Sequence, residues 1–496
     1  MNNTLTEHER KLFELFSRAI YDNPFTPQRR QTDCKISGLK ETSPNDIILD
    51  RVINEAAEQV ANLRNTGRIA LASYTLETDR QLARNLFLFH VFHRYSGSLD
   101  KHIMEQSANK TSLVPMQEAN DALQLLDSYG FSPADALHYF ALFFQMRRAY
   151  FFIHHGLIGC SPSIQELRAQ LWNNIFTHDI NRYAHGLWQR MEDFSTLLLG
   201  ETGTGKSLAA AAIGRSGFIP FSSKTSTFYE NFTTAFVSRN LSQFSSQLIE
   251  SELFGHNKGA FTGALYAHKG IFAVCSPYGA IFLDEIGDAD IPIQIKLLRV
   301  LQDRTFSPVG SQDEQRFSGR VIAATNRPLD EMRKQGTFRN DFYFRLSSDR
   351  IHIPPLRRRI EEDPRELKLL LDVLVRKITG YEDAELSIRI QKVIEQEMGR
   401  NYPWLGNVRE LEQCIRQILL NNRCSSASTY KNTNLQGQQL HQTIEAGTYN
   451  VTELTAYYCN MLYRKHGTYQ AVARVTGLDR RTVKKYLDIS EESGDQ

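Results

Sequence analysis

The chain is 496 residues long, 41% apolar, with a formal net charge of only +2. That length accommodates about three domains at roughly 150 residues each, and the near-neutral balance excludes a polycation, so any nucleic-acid contact must come from a local basic patch. The six cysteines (Cys34, Cys160, Cys275, Cys414, Cys424 and Cys459) are scattered and form no C-x-x-C pair. This argues against a disulfide framework or a zinc site and fits a reducing cytoplasm.

The first residues, MNNTLTEHERK, are polar and carry no apolar core of a signal peptide. Residues 1–155 read as a mostly helical N-terminal domain. Thr6 and Glu9 have the spacing of a capping box ahead of Leu12, Phe13, Leu15, Phe16 and Ala19. Ile47, Ile48, Val52, Ile53, Ala56, Val60 and Leu63 form a second apolar stripe. Ser132-Pro133 begins a third helix through Phe140, Phe143, Phe144 and Phe151. The most apolar stretch, Phe140 to Ile153, is broken by Gln145, Arg147 and Arg148 and is too short and charged to span a bilayer. No membrane span is expected, and this N-terminal region shows no metal-ligand spacing beyond His90-x-x-His93, which reads as core or surface.

Residues 156–422 change texture to alternating strands and helices. Ser195 to Leu199, Gly279 to Leu283 and Arg320 to Thr325 are short, apolar and bounded by glycine or polar residues, as buried parallel strands are. Between the first of these and an alanine-rich helix lies Gly200-Glu201-Thr202-Gly203-Thr204-Gly205-Lys206-Ser207, which fits G-x-x-x-x-G-K-[ST]. Its glycines let backbone N–H groups turn around phosphate, and the helix N-terminus adds its dipole. Lys206 is expected to reach the β- and γ-phosphates and Ser207 to ligand Mg²⁺. The strand Ala280–Leu283 runs into Asp284, expected to hold Mg²⁺ through water, and Glu285, expected to activate the attacking water. Asn326, ending the third strand, is placed to touch the γ-phosphate or that water. ATP and Mg²⁺ are the expected cofactors.

One segment carries a family signature. Glu250-Ser-Glu-Leu-Phe-Gly255-His-Asn-Lys-Gly259-Ala260-Phe261-Thr262-Gly263-Ala264 closely resembles the GAFTGA region of bacterial enhancer-binding proteins, the sigma-54 activators. The resemblance runs from about Leu157 to Leu420 and takes in Phe338 to Leu346, Pro354 to Arg359 and Trp404 to Leu411. It implies that Gly259 to Ala264 form a loop whose Phe261 and Thr262 touch sigma-54. Two glycines flanking an apolar tip suit a contact made in one nucleotide state and withdrawn in another. It also implies that Arg339 and Arg345 are fingers reaching a neighbouring subunit's ATP, that Arg409 is the sensor II arginine, and that the active form is a hexamer. Being six residues apart, Arg339 and Arg345 cannot share a helix face, so their roles differ or the helix breaks.

Four departures stand out. Ser207 replaces a glutamate common in the family. The run Phe218-Ile-Pro-Phe-Ser222-Ser223, taken as the strand after the first helix, has no asparagine to hold Glu285 in a switch, so the switch is absent or moves to Ser222. About twenty extra polar residues intervene near Lys224 to Gln243, and roughly ten more around Phe176 to Leu187.

A polar stretch, 423–449, reads as a linker. The last region, 450–496, reads as a helix from Thr468 to Thr476, a turn at Gly477-Leu478, and a second helix from Arg480 to Leu487 capped by Asp479. Ala471, Val472, Val475, Leu478, Val483 and Leu487 are expected to form its core. Arg480, Arg481, Thr482, Lys484 and Lys485 are expected to meet DNA phosphates and base edges. The segment resembles the Fis-type helix-turn-helix that closes many family members.

The expected architecture is an α/β AAA+ P-loop ATPase core (156–350) with a helical lid (351–422), between a mostly α domain and an α helix-turn-helix. The expected function is a cytoplasmic transcription activator that binds double-stranded DNA upstream of promoters and uses ATP hydrolysis to remodel sigma-54 RNA polymerase. The alternative is a DNA-bound AAA+ regulator that has lost remodelling and acts as repressor or scaffold.

Overall fold

The computed structural model describes residues 4–110, 112–424 and 451–492. The chain divides into two compact units, the first ending at Cys424 and the second beginning at Ser425. The predicted linker lies almost entirely outside the described residues.

The first unit opens with α1 (Glu7–Tyr21), α2 (Pro27–Ser37), α3 (Asn45–Asn65), α4 (Glu77–Arg94), α5 (Ser96–Ala108), α6 (Ala119–Ser128) and α7 (Pro133–Gly156). The capping box forms: Thr6 Oγ1 accepts the Glu9 N–H and Glu9 returns the bond to the Thr6 N–H. Arg68 grips the same Glu9 carboxylate through both terminal nitrogens, tying the end of α3 to the start of α1. Buried Asp79 receives the Leu5 N–H and the Arg10 guanidinium, a charge taken out of water only because it is paired. Of the α3 stripe, Ile48, Val52, Ala56, Val60 and Leu63 are buried, Ile53 is half-buried and Ile47 is exposed. His93 packs at a tilt against Phe89 and edge-on against Phe92.

Helix α7 begins as expected, with Ser132 capping Asp135 and Pro133 in the first turn. Its burial runs around most of its circumference: Phe140, Phe143, Phe144, Gln145 and Arg148 are all inside. A helix apolar on every side has neighbours on every side. Packing continues without a break past residue 155 into α8 (Pro162–Phe176), α9 (Ile180–His185) and the sheet, in one hydrophobic cluster.

Five parallel strands form the central sheet in the order β4 (Phe236–Asn240), β5 (Ala280–Asp284), β8 (Arg320–Thr325), β1 (Thr196–Leu199), β9 (Asp349–His352). Alternate residues feed two cores. Leu198, Phe282 and Ala324 face the cluster shared with the N-terminal helices. Leu197, Leu283 and Ala323 face α11 (Ser246–Phe254), α12 (Ile271–Val274), α13 (Ile291–Asp303), α14 (Leu329–Lys334) and α15 (Asn340–Leu346). Burial on both sides is why these strands read as unbroken apolar runs. Helix α10 (Lys206–Gly214) follows β1. The remaining strands make small antiparallel hairpins, β2 (Phe221–Ser222) with β3 (Thr227–Phe228) and β6 (Thr305–Phe306) with β7 (Gln315–Arg316).

Here the sequence reading needs correction. Phe218 to Ser223 is not the sheet's second strand; it turns back in the β2–β3 hairpin, whose Phe221 and Phe228 pack on Phe140 of α7. The second strand lies further on, within the run taken as inserted: residues 236–240 are β4 and 241–243 a short 3-10 turn.

The lid comprises α16 (Leu356–Glu362), α17 (Arg365–Thr379), α18 (Ala384–Glu397) and α19 (Asn407–Asn421) around Leu371, Ile390, Leu411 and Ile415. The cysteines were expected to make no disulfide framework; one pair among the described residues, Cys414 and Cys424, is bonded. Helix α19 ends at Asn421, and the reversal at Asn422 brings Cys424 back beside it.

The second unit holds α20 (Val451–His466), α21 (Tyr469–Thr476) and α22 (Arg480–Glu492). Gly477 makes the turn at φ +71°. Asp479 Oδ1 accepts the N–H groups of Arg481 and Thr482. The core holds Val472, Val483 and Leu487 as expected, plus Cys459 and Leu462 from α20. Val475, expected inside, is exposed. Asp479→Ala should speed amide exchange in the first turn of α22, read by exchange mass spectrometry, because two N–H donors lose their acceptor.

Candidate nucleotide site

The C-terminal ends of β1, β5 and β8 lie on one edge of the sheet, where α/β folds place their ligands. Gly200 to Ser207 wraps that edge. Buried Lys206 donates to the Gly200 carbonyl at 2.9 Å and the Glu201 carbonyl at 3.1 Å. Burial pulls its ammonium below the usual range, against the pull of nearby Glu285 and Asp284. A cation resting on two backbone carbonyls inside a glycine-rich loop, with the α10 N-terminus behind it, fits a polyphosphate.

Asp284 ends β5 and is pushed above the usual carboxylate range by burial, moderated by the Glu285 N–H, Lys206, Arg409 and a hydrogen bond from Ser207. The two proposed metal-holding groups, Ser207 and Asp284, are therefore adjacent, an all-oxygen donor set suited to Mg²⁺. Glu285 sits at φ +54°. This left-handed conformation is costly for a non-glycine residue and found where structure imposes it. Its carboxylate accepts the Asn326 N–H at 3.3 Å, while Asn326 Nδ2 donates to Thr202 Oγ1 at 2.9 Å. Asn326 thus bridges the acidic strand end and the phosphate loop.

The sheet register supplies a residue the sequence reading missed. Asn240 ends β4 directly opposite Asp284, one position before Glu285. Its Oδ1 accepts from the Ser242 N–H and hydroxyl. Ser222, the suggested substitute, lies in the β2–β3 hairpin instead. The missed signal was an apolar strand start, Phe236-Val237, leading into Asn240 shortly before the family-like segment at Glu250.

The lid closes on the loop from the other side. Asn407 Nδ2 donates to Glu201 Oε2 and the Thr202 carbonyl, both at 3.1 Å, and the Val408 N–H donates to the Gly203 carbonyl. Arg357 pairs with Glu201 and holds its carboxyl below the ordinary range. A Cβ on Gly203 would lie 2.3 Å from the Gly406 carbonyl, so only glycine, here at φ +79°, permits this approach. Exposed Arg409 lies in the same first turn of α19.

Arg339 and Arg345 are not two residues of one helix face. Arg339 precedes the first turn of α15 and pairs in solvent with Asp341 at 2.7 Å. Arg345 lies in the last turn, and its Nε donates to the Leu301 carbonyl at 2.9 Å.

Residues 259–264 form a tight projection. The Gly259 N–H donates to the Ala264 carbonyl, and Gly259 and Gly263 take φ of +80° and +101° with nothing near their Cα hydrogens. Phe261 is 41% exposed and edges onto His256. The stem is firm: His256 bridges His268 and Val309, and Ser251 Oγ lies 2.7 Å from His256 Nδ1. In the second unit Arg480, Arg481, Lys484 and Lys485 are exposed on α22, with Thr482 half-buried and bonded to Asp479.

A five-stranded parallel sheet, a phosphate loop after β1, an Asp-Glu strand end and a helical lid define an AAA+ P-loop ATPase fold. Residues 179–352 match the family described as the Sigma-54 interaction domain. This central segment belongs to that family, the ATPase module of bacterial enhancer-binding proteins.

Among relatives, the Nif-specific regulatory protein of Bradyrhizobium diazoefficiens is 36% identical over 294 residues, 59% of this chain and 44% of that protein. The Sigma54-dependent transcriptional activator SfnR of Pseudomonas putida is 42% identical over 231 residues, 46% of this chain and 57% of that protein. The chain thus spans about half the length of these relatives. NtrX from Brucella abortus in complex with ADP is a solved structure 19% identical to this chain; it covers 75% of this chain and 80% of its own, at a TM-score of 0.41. No helix among the described residues is long and apolar enough to cross a membrane.

Proposed function

We propose that the chain is a sigma-54-dependent transcription activator that hydrolyses ATP to remodel the closed complex of sigma-54 RNA polymerase. The observation that carries this is the exposed, glycine-flanked Phe261-Thr262 projection, mounted on a hydrogen-bonded stem in the same module as the phosphate loop and the Asp284-Glu285 strand end. Bound ATP·Mg²⁺ supplies the phosphoryl group and the charge neutralisation for its transfer. Lys206 and the loop N–H groups hold the phosphates. Ser207 and Asp284 hold the metal, and Glu285 takes the proton of the attacking water.

Asn326 fixes Glu285 relative to the loop, and Arg409 follows the nucleotide from the lid. Asn240, opposite Asp284 in the sheet and one position before Glu285, is the switch residue. Arg339 and Arg345 serve a neighbouring copy's nucleotide, which requires a ring, taken as a hexamer. The second unit is the DNA-binding end, with Arg480, Arg481, Thr482, Lys484 and Lys485 on duplex DNA. Residues 4–155 regulate the ATPase, and the setting is cytoplasmic.

The alternative of a repressor or scaffold rested on a missing switch asparagine; Asn240 removes that ground. The test is open-complex formation by purified sigma-54 RNA polymerase on supercoiled DNA with this protein and ATP, alongside a Thr262→Ala variant. The expected result is opening by the wild type, and at least about tenfold loss in the variant with ATP turnover retained, since the loop contacts polymerase and not nucleotide. Equal opening by both would overturn the loop assignment.

A further inference from the structure

Helix α13 follows the Asp284-Glu285 strand end after one short 3-10 turn, Ile286–Asp288. Asp290 caps the helix: its carboxylate accepts the Ile293 N–H and its carbonyl accepts the Gln294 N–H. The start of α13 is therefore fixed close to the acidic strand end. Further along, the same helix meets both arginines assigned to a neighbouring copy. The Leu301 carbonyl accepts from Arg345 Nε at 2.9 Å. The hold on Arg339 comes from Gln294.

Gln294 is fully buried, at 0% exposure. Its Nε2 donates to the Ala289 carbonyl at 2.9 Å and to the Thr337 carbonyl at 3.0 Å, and its Oε1 accepts the Arg339 N–H at 2.8 Å. Carbonyls only accept and an N–H only donates, so one orientation of the amide satisfies all three. Phe338, between Thr337 and Arg339, is buried in the same core as Ile293 and Leu297 of α13. Packing of Phe338 sets this segment against the helix, and the amide fixes where the backbone of Arg339 sits. An apolar side chain of similar size would keep the first and lose the second. The side chain of Arg339 itself stands in solvent beside Asp341. Among the described residues, Gln294 bonds to no member of the phosphate loop.

We propose that Gln294 is the positioning residue of Arg339. It ties that arginine, which acts on a neighbouring copy's nucleotide, to the turn that follows Glu285 in its own subunit. The proposal rests on the trans-acting reading of Arg339. A misplacement of about 1 Å in a group that acts on the transition state costs on the order of 10²-fold.

The test uses the full-length protein with Gln294→Met, which keeps an unbranched side chain of similar size and removes all three bonds. Alone, this variant should bind a fluorescent ATP analogue with a Kd within about threefold of the wild type and lose turnover at least about tenfold. It is then mixed with excess Lys206→Ala, which should not hold ATP but carries Gln294 and Arg339 intact. Turnover per Gln294→Met subunit should recover at least about fivefold, because the neighbour now presents a correctly placed arginine, a group worth about 10³–10⁵-fold when supplied in trans. Damage confined to the fold of the Gln294→Met subunit would not recover. Arg339→Ala mixed in the same way is the control and should recover too. Recovery of the control alone would overturn the role of Gln294. Silence of both mixtures would overturn the trans-acting reading, and the proposal with it. Wild-type turnover by Gln294→Met alone would overturn the proposal directly. Should Gln294→Met melt early, Gln294→Asn, which keeps the amide but draws it back from its three partners, takes its place.

Discussion

Glu285→Gln will leave ATP binding nearly intact and cut turnover by about 10²–10⁴-fold, the range general base catalysis supplies. Glutamine keeps the size of the side chain and an oxygen that can still accept the Asn326 N–H, so the bridge from Asn326 to Thr202 persists. What disappears is the proton acceptor at the strand end. Lys206, Ser207 and Asp284 are untouched, so phosphate and metal stay held. The measurement pairs steady-state phosphate release with the Kd of a fluorescent ATP analogue. An affinity loss as large as the turnover loss would mean that Glu285 acts in binding. Unchanged turnover would mean that another group activates the water.

The contrast with Lys206→Ala makes the assignment specific. Lys206 is buried and donates to two loop carbonyls, so its removal should empty the site and lower affinity and turnover together. Only the glutamate variant should separate the two readouts.

The residues legible in sequence were those whose chemistry fixes their spacing. The loop from Gly200 to Ser207 and the Asp284-Glu285 strand end carry their signal locally, because phosphate and metal geometry permit few arrangements. The strand itself was legible because two-sided burial writes an apolar run. Asn240 was missed for a physical reason as well. The run Phe218-Ile-Pro-Phe has the same apolar texture as a central strand, but its side chains are inward because α7 covers them, not because strands flank them. Local pattern reports burial and not the identity of the neighbour. The Cys414–Cys424 bond was invisible for a related reason: the ten-residue spacing matches no motif, and only the chain reversal at Asn422 closes it. The continuity of residues 4–155 with the ATPase was likewise unwritten, since composition alone marks a change of texture, not a separable domain.

That continuity yields the second large expected effect. A chain beginning at Gly156 should fail to fold into an active ATPase, whereas a detachable regulatory domain would leave the module soluble. In the intact protein Phe144 stacks on Phe228 with ring centroids 4.0 Å apart, and Phe140 edges onto Phe221 at 4.9 Å. Each such ring stabilises by roughly 1.5–3 kcal/mol through burial. Fully buried Arg148 donates to the Arg215 carbonyl at 2.8 Å and the Gly217 carbonyl at 2.7 Å, and Gln145 donates to the Ser216 carbonyl. Those three carbonyls end the phosphate-loop helix, and without α7 they lose their donors, at about 1–3 kcal/mol for each group left buried and unpaired. The sum reaches the whole stability of a typical domain, about 5–15 kcal/mol. The truncated chain should therefore bind a hydrophobic dye, melt without a cooperative transition and hydrolyse no ATP. A milder probe separates packing from expression failure: Arg148→Met in the full chain keeps the aliphatic stem against Phe144 but removes both donors. It should cost about 2–3 kcal/mol, read as a lowered midpoint in urea with the slope unchanged. A soluble, active truncation together with an unshifted Arg148→Met midpoint would show that the helix rests on the ATPase without supporting it.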